Sequence, residues 1–68
     1  MESKARWFWR AVEHEAEWIC RHGLAELDRH PTLREAIEHL SEIAQAHAPS
    51  QVFAHYLNGQ VETVAVFD

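Results

Sequence analysis

Apolar residues recur at helical spacing along one stretch of the chain. Leu33, Ala36, Ile37, Leu40, Ile43 and Ala44, continued by His47, close a single stripe on an α-helix. Thr32 and Glu35 form a Thr-x-x-Glu capping box at its start, and Pro49 stops it, since proline lacks an amide and disfavours helical geometry at Ala48. Beyond the helix the pattern changes period. Gln51–Leu57 and Gln60–Phe67 are β-rich runs around Asn58–Gly59, a dipeptide that favours a tight hairpin because both residues tolerate positive φ. In the last run Val61, Thr63, Ala65 and Phe67 alternate with Glu62, Val64 and Val66, so apolar side chains are expected on both faces.

The first half of the chain has two readings. Residues 5–13 are aromatic and β-branched, which suits a strand with Trp7, Trp9 and Ala11 on one face and Phe8, Arg10 and Val12 on the other. His14–Glu17 then reads as a polar turn and Trp18–Cys20 as a second strand. Gly23 marks a bend, and Leu24–His30 is a third short strand or a bent extension of the second. The rival is a helix over residues 10–28, because Val12, Ala16, Ile19, Cys20, Gly23, Leu24 and Leu27 also fit helical spacing. Gly23 would then sit inside a helix at a cost of about 1 kcal/mol.

Sixty-eight residues make one domain, 1–68, and a chain of this length buries only about 60% of its unfolded surface. Cys20 is the only cysteine, so no disulfide assists, and an unpaired thiol suits a cytoplasmic protein. The opening Met1–Glu2–Ser3–Lys4, followed by Trp7–Phe8–Trp9, is too short and too charged for a signal peptide or a membrane span. A formal net charge of −5 argues against a general nucleic-acid binder, whose affinity comes largely from neutralising phosphates. An apolar fraction of 47% is high for so small an interior, which suggests burial against another chain.

Trp18, Gly23, Thr32-x-x-Glu35-Ala36, Ala44, the Val52–Phe53–Ala54–His55 run and Asn58–Gly59 together resemble a family of short bacterial domains of unknown function, DUF 2188. The resemblance spans roughly residues 8–66. It departs from the family pattern in the Trp7–Phe8–Trp9 opening, the many histidines and the apolar Val61–Phe67 ending. It implies an α+β fold of order β-β-(β)-α-β-β, a single helix packed on a small antiparallel sheet, where the rival would be α-α-β-β. It supplies no catalytic residues.

Few residues suggest chemistry. Histidines stand at positions 14, 22, 30, 39, 47 and 55, yet no two have the i, i+2 or i, i+4 spacing of a metal-binding pair. They read as exposed polar groups, and no metal or cofactor is expected. Cys20 reads as a small buried hydrophobe, with no neighbouring group placed to lower its pKa and make it a nucleophile. Glu13, Glu15 and Glu17 read as a solvated turn, because so small a chain rarely encloses a substrate pocket; no enzyme is expected.

Lys4–Ala5–Arg6–Trp7–Phe8–Trp9–Arg10 interleaves basic and aromatic residues, as single-strand nucleic-acid platforms do. Set against the acidic remainder, it reads better as a core or interface strand. One helix covers one face of a small sheet, and these strands carry apolar groups on both. The expectation is a non-enzymatic interaction module that self-associates as a homodimer. Its expected surface comprises Trp7, Phe8, Trp9, Arg10 and Phe67, and single-stranded nucleic-acid binding through the first strand is the alternative.

Overall fold

A computed structural model describes residues 5–68 of the chain. Five strands and one helix follow in the order β1 (Trp7–His14), β2 (Glu17–His22), β3 (Ala25–His30), α1 (Leu33–Ala46), β4 (Ser50–His55) and β5 (Val61–Phe67). The domain is α+β, with α1 packed on one face of a sheet of spatial order β3-β2-β1-β4-β5. Residues 10–28 are therefore strands joined by two turns, not helix: pairing in the sheet overrides a local propensity that slightly favours helix.

The sheet is mixed where an antiparallel one was expected, because β1 and β4 pair in parallel, Trp7 opposite Ser50 through Val12 opposite His55. Chain direction explains the difference. Two hairpins leave β3 running the same way as β1, and α1 carries the chain back before β4 starts. A strand that then docks beside β1 must run parallel to it. The remaining pairs are antiparallel.

The turns were only partly legible. β1 and β2 are joined through Glu15 and Ala16, both at positive φ (47° and 64°), a pairing that hairpin twist favours but non-glycine side chains resist. Gly23, at φ 60°, opens the two-residue turn into β3 and supplies the left-handed position at no steric cost. Asn58–Gly59 does not form a two-residue turn. The amide of Tyr56 donates to Gln60 O (2.9 Å) and that of Gly59 to Tyr56 O (2.9 Å), enclosing a three-residue loop in which only Gly59 has positive φ (90°).

A bulge in the β4–β5 ladder also changes the faces of the last strand. Val52 pairs with Ala65, but Phe53 pairs with Thr63, so Val64 is an extra residue. Ala65 and Phe67 consequently pack towards α1, as does Val64, whereas Val61 and Thr63 share the opposite face with Phe53 and His55. Strict alternation had put Val61, Ala65 and Phe67 together.

Thr32 caps α1, its Oγ1 accepting from the Glu35 amide at 3.2 Å. Ala36, Leu40 and Ala44 are fully buried against Trp9, Ala11, Cys20 and Val52. Leu40 is the largest wholly enclosed side chain, so Leu40→Ala should destabilise the domain by about 2–5 kcal/mol, measured by denaturant unfolding. A second expectation concerns the strained turn. Ala16→Gly relieves a left-handed alanine and should stabilise by about 0.5–1 kcal/mol, visible as a melting point several degrees higher.

Candidate functional site

The five residues expected to form one interaction surface are divided by the sheet. Trp9 is in the core, 4% exposed, and Phe67 packs against that core from β5. Trp7 lies on the same face as Trp9, half exposed, its ring stacked on Trp9 at 5.6 Å with an interplanar angle of 5°. Only Phe8 and Arg10 lie on the face that α1 leaves uncovered. Lys4, the first residue of the basic-aromatic stretch, is outside the described residues.

Trp9 has a structural task. Its Nε1–H donates to Ser50 Oγ (3.2 Å), and the Ser50 hydroxyl donates to His47 O (2.6 Å). This relay satisfies two buried polar groups and ties β1 and β4 to the C-cap of α1. His22 and His47 complete an aromatic group around the two tryptophans, with Trp9 4.3 Å from the His22 ring and Trp7 4.7 Å from that of His47.

The uncovered face is half apolar and half charged. On the central strands Phe8 and Phe53 approach to 5.9 Å between ring centroids, with Phe8 54% exposed, and Val66 of β5 is 49% exposed. Phe8, Arg10, Gly23, Phe53 and His55 contribute to the lining of a depression of about 260 Å³. Towards β3 the charges pair internally, Arg29 with Glu26 (2.9 Å) and Glu17 (3.5 Å). Arg10 and Arg21 turn aside to donate to the carbonyls of Gly23 (2.9 Å) and Leu24 (3.1 Å). Ile19 lies among these long side chains and is only 6% exposed although no second layer covers it.

On the helix side, near β3, the fold gathers a second group that sequence spacing did not single out. One ligand atom from each of Cys20, Asp28, His30 and His39 lies within 4.8 Å of every other. Asp28 Oδ2 stands 3.1 Å from His30 Nε2 and 2.8 Å from His39 Nδ1. The signal in the sequence was Asp28-x-His30, two residues on one strand face, which a search restricted to histidine pairs passes over. Cys20 is fully buried, as a small hydrophobe would be. Burial pushes its thiol up to about 12, and the adjacent Asp28 carboxylate adds to the effect.

No family model, curated protein or solved structure matches the chain. Among the described residues no helix is long and apolar enough to cross a membrane.

The structural role of Trp9 can be tested by a cycle. Ser50→Ala strands the buried indole N–H and should cost about 1–3 kcal/mol in the wild-type background. In a Trp9→Phe background the same substitution should cost less, and the difference, read by denaturant unfolding, measures the coupling.

Proposed function

We propose that the protein is a small non-enzymatic interaction module that self-associates through the sheet face opposite α1, forming a two-fold homodimer in the cytoplasm. The observation that carries the reading is the exposed apolar half of that face, Phe8 and Val66 flanking Phe53 at the centre of the sheet. Leaving such groups in water forgoes about 25 cal/mol per Å² of apolar surface. A second copy is the occupant because one patch then serves both partners, and a two-fold interface closes without generating a polymer. Electrostatics favours this over a polyanion. The chain carries −5 overall, and Arg29 on this face is already paired with carboxylates. The free thiol of Cys20 supports a cytoplasmic setting. Membership of DUF 2188 is proposed on the motifs quoted above.

A second reading has one observation in its favour. Phe8 and Phe53 lie side by side on adjacent central strands with Arg10 between them and the β2–β3 turn, an arrangement on which single-stranded bases can stack. Salt separates the two: phosphate binding weakens steeply as salt rises, and apolar association does not.

Light scattering at micromolar concentration should give twice the 7.9 kDa chain mass. Phe8→Glu or Phe53→Glu should halve that value while the circular dichroism spectrum is unchanged. A monomer across the micromolar range removes the dimer, and salt-sensitive binding of an oligonucleotide by that monomer would establish the second reading.

A further inference from the structure

Three of the five buried side-chain polar atoms that lack a hydrogen-bond partner among the described residues occur in one place: Asp28 Oδ1, His30 Nε2 and His39 Nδ1. We propose that Cys20, Asp28, His30 and His39 bind one divalent transition-metal ion of the zinc class. The site is on the helix side of the sheet and is independent of the face assigned to self-association.

The geometry around the carboxylate carries the argument. His30 Nε2 and His39 Nδ1 come within 3.1 and 2.8 Å of Asp28 Oδ2, close enough to bond, yet both are poorly aligned and are left without a hydrogen bond. Unpaired polar groups in a protein interior are costly, and two imidazole nitrogens at ion-pair distance from one carboxylate oxygen, with no aligned hydrogen bond between them, call for a further partner. A cation between them supplies it. Four-coordinate zinc, with bonds of about 2.0–2.3 Å, sets its donor atoms about 3.3–3.8 Å apart, and the four donors here already lie within 4.8 Å of one another.

The donor set selects the ion. Two borderline imidazoles and a soft thiol outnumber the one hard carboxylate, which suits zinc and disfavours calcium or magnesium, whose shells are oxygen. With four protein donors the site would be filled, so its expected role is structural. Coordination exchanges the Cys20 proton for the metal, the proton leaving to solvent. The ion has a way in. Asp28, His30 and His39 line a depression of about 480 Å³ together with Glu35, Glu38 and Glu42 of α1, an acidic rim that attracts cations. Bound metal would join β2, β3 and α1, fastening the edge strand β3, which contributes no fully buried residue of its own.

The test uses the full chain without a histidine tag, titrated with Co²⁺ and then Zn²⁺. The expected result is one Co²⁺ per chain, with the strong visible bands of four-coordinate cobalt and a near-ultraviolet thiolate charge-transfer band. Zn²⁺ should displace it one for one and raise the melting temperature. His39→Gln and Asp28→Asn, both at partly exposed positions, should each weaken binding at least about tenfold with the fold intact by circular dichroism. Cys20→Ser should abolish the charge-transfer band, and His14→Gln and His55→Gln should change nothing. A pale six-coordinate spectrum would overturn the proposal. So would affinity that survives both His39→Gln and Asp28→Asn, even if Cys20→Ser fails to fold.

Discussion

The close seating of α1 on the central strands is the contact on which this small domain depends. Ala36 and Ala44 of the helix and Ala11 and Ala54 of β1 and β4 are all fully buried, and small side chains on both surfaces let the layers approach closely. Leu40, Val52 and Trp9 fill the remaining space. With so few large groups enclosed, little apolar volume is held in reserve, and losing any one of them removes a sizeable part of the core. Polar links matter correspondingly more, as in the relay from Trp9 through Ser50 to the carbonyl of His47.

The layer beneath the helix is not uniform. Over β1 and β4 it is hydrocarbon apart from the Trp9–Ser50 link; towards β5 it continues through Val64, Ala65 and Phe67; towards β3 it turns into a thiol, a carboxylate and two imidazoles. One helix is too narrow to cover five strands with apolar contacts alone. Each flank is closed differently, one by a bulge that brings Val64 inward beside Ala65 and Phe67 and the other by ionisable groups. On the reverse face, paired charges and long arginine stems shelter the β2–β3 half and leave the β1–β4–β5 half apolar.

Much of this was readable from residue order. The stripe from Leu33 to Ala44, the cap at Thr32 and the two strands after the helix follow from periodicity and turn chemistry, because those signals are local. The strands before it fit helical spacing as well, and there the family resemblance tips the balance to strand. What escaped was non-local. The parallel pairing of β1 with β4 depends on which edge the returning strand meets, and no residue within either strand encodes it. The bulge at Val64 reverses the inward face partway along β5, which alternation alone cannot reveal. The left-handed pair Glu15–Ala16 carries neither glycine nor asparagine, so its turn type had no local marker. The Cys20, Asp28, His30 and His39 group draws on three elements, and only Asp28 and His30 are near neighbours in sequence.

The parallel pair at the centre also divides the polypeptide. β1–β2–β3 is one meander and β4–β5 another, each closed by short turns that can form quickly and on their own. They become a single sheet only when β1 meets β4, across partners such as Trp9 and Ser50 that are 41 positions apart. That docking closes the longest loop of any strand pairing in the sheet and recovers its entropy only once the helix also seats. Two locally assembled pieces are thus held as one cooperative unit by a single ladder and the helix that spans it, and the seam between them runs through the middle of the sheet.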